Sequence, residues 1–363
     1  MKKLTALALA AALIFALAGC GADDGLVEYD WDEAWESYAP DTTVMTVNGE
    51  EISWEQYFYW LYLEYMQYFA GLGMDEPVSE ENDTPVSEFL ASDVESYVVQ
   101  YAVIDQLARE HGVELTAEDE EVLTAQLESD IAEYAGEDGT EEELFDYLEG
   151  IHVSREVYDY VNRVMVLYPR MFMELYGSSG EKYSDEDTLA YAAEYGYVTA
   201  KHILFKTTDD ENEPLPEAEI EEIRARAEAV LSELQNAPEG GLETLFDELM
   251  AEYSDDPGSE SYPDGYCFEP GAPLVQEFKD AAAKLEPGEI SGLVESSYGL
   301  HILLREPVKA EDLVLMQTAQ PFTLRYTAAV MDYNNLYNSA IMGAEVVYAE
   351  GFEGFRPADL FAA

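Results

Sequence analysis

The chain has 363 residues, enough for two or three domains around a sizeable core. It carries 78 Asp and Glu against 17 Lys and Arg, a formal charge of −61. No basic patch can then hold a phosphate backbone, which excludes nucleic acid as a partner; such a surface repels anions and draws basic polypeptides or divalent cations.

Lys2 and Lys3 precede an apolar run from Leu4 to Phe15 that ends in Leu17-Ala18-Gly19-Cys20. A charged start, a short apolar stretch and small residues before the break make a secretory signal over 1–19, too short for a membrane span. The Leu-Ala-Gly-Cys ending resembles a bacterial lipobox. That resemblance implies cleavage before Cys20, a lipid on its sulfur, and a chain anchored at the extracytoplasmic face of a bacterial cell membrane. Lipidation would leave Cys267 as the one free thiol, so no intramolecular disulfide is expected.

Residues 20–40 are acidic and short of aliphatics, Trp31 and Trp35 excepted, and read as a tether. Val44 to Ile52, broken by Asn48-Gly49, has the form of a tight hairpin, because Asn-Gly readily takes the positive φ angles of a type I′ turn. Ser53 and Gln56 form a capping box for a helix over 54–70. That helix holds Trp54, Tyr57, Phe58, Trp60, Tyr62, Tyr65, Tyr68 and Phe69, more aromatic surface than one stripe can bury, so some of it is expected to face a partner, a groove or another domain.

A loop is expected over 71–85 and helical periodicity from Val86 to Glu110, stopped by His111-Gly112. Thr116-x-x-Asp119 and Thr140-x-x-Glu143 cap two further helices, and another spans about 153–176. His111 and His152 have no ligand-spaced neighbours and read as structural or solvent-facing. Ser184-x-x-Asp187 caps a helix to about Tyr195, after which the hydrophobic period shortens to that of a strand at Val198 to Phe205. Amphipathic helices follow over 214–235 and 242–253; past residue 307, Leu313 to Leu315 reads as extended, Phe322 to Ala340 as helical and the end as irregular. This tail is too short for a core of its own. It is expected to fold back on the helices before residue 180, which makes the segment between them an insertion.

That segment carries the chemistry. Ala200-Lys201-His202-Ile203-Leu204-Phe205 and Gly299-Leu300-His301-Ile302-Leu303-Leu304 are β-type runs, each with one His among aliphatics, and they bracket Tyr253-Ser254-Asp255-Asp256, Phe268-Glu269-Pro270-Gly271 and Leu274-Val275-Gln276-Glu277-Phe278. Neighbouring strands could set the two imidazoles side by side. With its Leu-x-Pro-Gly-Glu-Ile-Ser stretch at Leu285 to Ser291, the block 198–307 resembles a parvulin-type peptidyl-prolyl cis/trans isomerase domain, and the flanks, with a Val-Asn-Gly-x-x-Ile start at Val47, are similar to those of PrsA-type and SurA-type secretion foldases.

The resemblance implies an α+β chain: a parvulin-like small antiparallel sheet with surrounding helices, inserted in an all-α chaperone domain formed by the N-terminal (41–197) and C-terminal (308–363) segments. It implies catalysis by His202, His301 and Asp256, the imidazoles fixing each other's tautomer. Asp256, where relatives carry Asp or Cys, takes the polar role beside the turning carbonyl. Phe268, Leu274 and Phe278 correspond to the proline pocket, Leu274 standing where many members have Met, and Ser297 and Tyr298 add hydrogen bonds. No cofactor and no metal are required. The implied partners are unfolded or newly secreted polypeptides with X-Pro bonds and the membrane through Cys20, and a homodimer is admitted.

Phosphate-directed relatives carry basic residues in the loop after the first strand. Here it reads Thr207-Thr208-Asp209-Asp210-Glu211, which would repel a phosphate. Cys267 beside apolar residues reads as packed rather than nucleophilic. No nucleophile elbow, phosphate loop, dinucleotide fingerprint, Cys-x-x-Cys, His-Glu-x-x-His or EF-hand pattern is present. The rival readings are a holdase in which the parvulin fold has lost turnover, and a lipoprotein that captures a ligand.

Overall fold

A computed structural model describes residues 27–315 and 321–361; the expected signal at 1–19 and lipidated Cys20 lie outside the described residues. The chain divides into two compact units, one running to Leu175 and resuming at Asn334, the other spanning Tyr176–Tyr333.

In the first unit the tether reading fails over part of its length. Helix α1 (Trp31–Glu36) forms under an Asp30 cap, because its two tryptophans have large apolar faces to bury: Trp31 packs 5.2 Å from Tyr62, and Trp35 lies 5.1 Å from Phe58 and stacks on His152. Strands β1 (Thr43–Val47) and β2 (Glu50–Ser53) pair around Asn48 and Gly49, whose φ angles of 54° and 83° suit the hairpin turn. The Ser53–Gln56 capping box starts α2 (Trp54–Glu64), which runs into a π-helical turn (Tyr65–Phe69). Its aromatic crowd is largely core: Trp54, Tyr57, Phe58, Trp60, Tyr65 and Phe69 are buried, and of the eight singled out only Tyr68 is exposed. The spare aromatic surface faces α1 and the chain's own end, with Phe355 edge-on to Trp54 and Tyr57.

Residues 77–85 form a second hairpin, β3 (Pro77–Ser79) and β4 (Asn82–Pro85), where a loop was expected. Then come α3 (Val86–Glu110), α4 (Ala117–Asp130), α5 (Glu141–Glu149) and α6 (Arg155–Tyr176), with Thr116–Asp119 and Thr140–Glu143 capping boxes on α4 and α5.

The second unit opens with α7 (Asp185–Tyr195), capped by Ser184, and β5 (Val198–Lys206). Helices α8 (Glu217–Gln235) and α9 (Leu242–Tyr253) follow, then β6 (Tyr266–Phe268), α10 (Gln276–Ala282), β7 (Val294–Glu295), β8 (Gly299–Glu306) and α11 (Leu324–Met342), which crosses back into the first unit. The sheet is antiparallel, in the order β6-β5-β8-β7. Its central strands are buried on both faces, which explains their nearly continuous apolar composition. Ile203, Phe205, Leu300, Ile302 and Leu304 pack with Val230 and Leu234 of α8 and Phe246 and Leu249 of α9. Ala200, Phe268 and Leu303 pack with Phe278 and Ala282 of α10 on the opposite face.

This unit is wider than the block 198–307. Leu313 and Leu315 hydrogen-bond along β6 at Cys267, Leu324 shares a small core with Ala192 and Val314, and the Arg325 guanidinium is paired with Asp185 and Glu311. These contacts hold α7 and the stretch after β8 to the sheet.

The tail folds back as expected. Strand β9 (Val346–Tyr348), read as irregular, pairs with β1 to give the order β2-β1-β9. The helical domain built from the two chain ends is therefore not all-α; it carries this three-stranded sheet and the second hairpin.

Candidate active site

The register of β5 against β8 brings the two histidines together. His202 lies opposite Leu303 and His301 opposite Leu204, so the imidazoles are diagonal neighbours on one face, a separation aromatic side chains can span. Their ring centroids are 5.3 Å apart at 60°, and both side chains are buried. Gly299 at the start of β8 fixes this register. Its φ is +148°, and a Cβ there would sit 2.1 Å from the Phe205 carbonyl oxygen.

Asp256 arrives from the end of α9. Leu204 N–H donates to Ser254 Oγ and Asp255 N–H to Leu204 O, which lays this turn along β5. Asp256 then caps a 3₁₀ turn (Pro257–Glu260), accepting from Gly258 N–H at 3.2 Å, while its Oδ2 lies 2.9 Å from His202 Nε2. A carboxylate only accepts, so the His202 ring carries its proton on Nε2. Burial pushes the Asp256 carboxyl up, but the hydrogen bond and charge from His202, with the Tyr266 hydroxyl, outweigh it and leave it below its ordinary value.

The expectation that the imidazoles fix each other's tautomer is not met. Both Nδ1 atoms are buried without a hydrogen-bond partner among the described residues, and each ring is oriented from outside the pair. For His301 the partner is Ser296, whose Oγ lies 2.7 Å from Nε2. Tyr298 N–H donates to that Oγ at 3.1 Å, and the hydroxyl also reaches the Gly299 carbonyl at 3.5 Å. The hydroxyl bonded to the ring thus belongs to Ser296; Ser297 is exposed and contributes no hydrogen bond among the described contacts.

Burial, and then the neighbouring His202, pull His301 down to about 4. In the unfolded chain it would titrate near 6.5, so between those values the unfolded chain binds the extra proton. The fold therefore loses stability through this group as pH falls from about 6.5 towards 4. A ring-proton NMR titration of the full chain is expected to place the His301 midpoint near 4, with the ring neutral at pH 7; a midpoint above 6 would contradict the burial.

Over this pair opens a cavity of about 670 Å³. Leu274, Val275, Phe278, Tyr266 and Tyr298 give it an apolar wall, His202, His301 and Asp256 its polar end, and Lys206 a single cation. Phe278 lies edge-on to both imidazoles, at 5.0 and 5.8 Å, and 5.7 Å from Phe268. Phe268 belongs to the core behind Phe278 and does not line the cavity; Tyr266, two residues earlier on the same face of β6, does. Cys267, on the opposite face of β6, is fully buried, and burial pushes its thiol up to about 12, consistent with a packed residue. No group of three or more metal-ligating side chains occurs among the described residues.

Comparison with known proteins bears on this site. The family described as Rotamase, PPIC-type PPIASE domain, matches residues 202–306, from the first histidine to the end of β8. The foldase protein PrsA of Halalkalibacterium halodurans is 27% identical over 208 residues, covering 56% of each chain, so the match spans just over half of that relative's length. The foldase protein PrsA of Clostridium perfringens is 24% identical over 84% of this chain and 81% of its own. The chaperone SurA of Yersinia pestis is 35% identical over 29% of this chain and 22% of its own.

Proposed function

We propose that this chain, which carries a parvulin-type PPIC domain and is PrsA- and SurA-like, is a foldase that isomerises X-Pro bonds in unfolded or newly secreted polypeptides and holds those polypeptides as they fold. Its place is the extracytoplasmic face of the cell membrane, with the lipid on Cys20 as anchor. No described helix is long and apolar enough to cross a membrane.

The observation that carries this reading is an apolar cavity directly above a buried pair of imidazoles with an ionised carboxylate beside them. An X-Pro amide turns slowly because resonance raises a barrier of roughly 18–20 kcal/mol. Turning it needs no covalent intermediate. It needs the ring gripped, the carbonyl free to swing, and the twisted amide stabilised over the planar one. Leu274, Phe278 and Tyr298 provide the grip. His202, His301 and Asp256 are oriented polar groups that are themselves largely buried, where fixed dipoles act more strongly than in water. Asp209, Asp210 and Glu211 are exposed after β5, which favours unphosphorylated substrates.

The test is the refolding of a protein limited by proline isomerisation, with the full chain in catalytic amounts. Acceleration proportional to its concentration is the expected result. Suppressed aggregation with no acceleration would leave a holdase, and tight capture of one small ligand with indifference to unfolded chains would leave a ligand-binding lipoprotein.

A further inference from the structure

We infer that Tyr266 is a positioning residue of this site: its hydroxyl clamps the same Asp256 carboxylate oxygen that meets His202, keeping it where it orients the His202 ring. What the site does with that orientation rests on the isomerase reading; the clamp itself does not.

Tyr266 Oη donates to Asp256 Oδ2 at 2.7 Å, and that same oxygen lies 2.9 Å from His202 Nε2. Gly258 N–H holds Oδ1 at 3.2 Å. The carboxylate is thus gripped on both oxygens by three donors from three parts of the chain, and a half-buried Asp with three donors has one orientation rather than several. The Tyr266 ring also stands edge-on to the His202 ring at 5.5 Å, so both partners of the His202–Asp256 hydrogen bond touch the same tyrosine.

The backbone around it is shaped for this hydroxyl. A Cβ on Gly258 would lie 1.8 Å from Tyr266 Oη, so glycine leaves the space that the hydroxyl fills. Gly265, with φ +95°, allows β6 to start where a Cβ would be 2.7 Å from the Ala200 carbonyl carbon, and Tyr266 then pairs with Ala200, two residues before His202 on the same strand face.

The groups around the carboxylate are His202 and Lys206 of β5, Tyr266 of β6, His301 of β8, and Asp255 and Tyr262 from the adjoining turns. Among the hydrogen bonds that hold Asp256 ionised against burial, the one from Tyr266 is the one a single oxygen deletes.

Tyr266→Phe in the full chain is the test. We expect kcat/KM for an X-Pro peptide to fall about tenfold, the size of one hydrogen bond to a charged group, with the loss in kcat rather than KM. The acid limb of the profile should move to higher pH, as should the Asp256 protonation sensed by the His202 ring signals in NMR without substrate. Gly258→Ala, which displaces the hydroxyl without removing it, should move both readouts the same way. A folded Tyr266→Phe variant with wild-type kcat/KM, acid limb and His202 signals would overturn the inference. A wild type with no isomerase activity would instead overturn the functional reading, and the NMR arm would still decide the clamp.

Discussion

Asp256→Ala is expected to lower kcat/KM for X-Pro isomerisation about 100-fold, within the range for deleting one preorganised polar group of an active site. The side chain is a junction: it orients His202, receives the Tyr266 hydroxyl and faces the cavity. Alanine leaves His202 Nε2 and the Tyr266 hydroxyl without their acceptor and frees the ring to rotate. Asp256→Asn keeps the shape and one accepting oxygen and should retain more activity than alanine, which separates loss of charge from loss of the junction. Because the folded carboxyl sits below its ordinary value near 3.8, the stability it contributes is present above that pH and disappears as pH falls below it. At pH 7 the alanine variant should therefore be less stable than wild type, and the gap should close in strong acid. Undiminished acceleration of proline-limited refolding by a folded Asp256→Ala variant would remove Asp256 from the mechanism.

The sequence made some of this legible because certain signals are local. Asn48-Gly49, the Ser/Thr capping boxes and the switch to strand periodicity at Val198 act within a few residues, and each is found where the local chemistry puts it. His202 and His301 were readable as a pair because each is the one polar interruption on its face of an aliphatic run. The misses are contacts between distant segments. Tyr266 could have been found by counting back two residues from Phe268 on the same strand, but which of the two faces the cavity depends on where α10 packs. Ser296 and Ser297 are adjacent hydroxyls, and only the turn closed by Gly299 decides which one meets His301. The β1–β9 pairing joins segments about 300 residues apart, and Val346–Tyr348 is too short to show alternation. The tryptophans of α1 stand out in the sequence as exceptions in an acidic stretch; their partners on α2 decide that they anchor it.

Phe278→Ala should be the most damaging substitution for the stability of the second unit, at about 3–5 kcal/mol, the usual range for truncating a buried aromatic. The ring is 1% exposed and fills the space between Phe268 and the two imidazoles, so its removal takes both packing and the cavity floor. Little can collapse into the gap. Phe268 is held by the β5–β6 pairing, and the histidines by Asp256 and Ser296. Phe278→Leu keeps most of the apolar volume and should lose much less. Since the chain has two compact units, urea unfolding of the full protein should be followed by a probe inside the second one, such as the His202 and His301 ring signals. On the proposed reading, isomerase activity should fall even at temperatures where the alanine variant stays folded, because a ring that lines the cavity and backs both imidazoles is gone. A destabilisation below 1 kcal/mol would mean that this ring does not hold the two histidines in place, and the catalytic account built on their orientation would have to be given up.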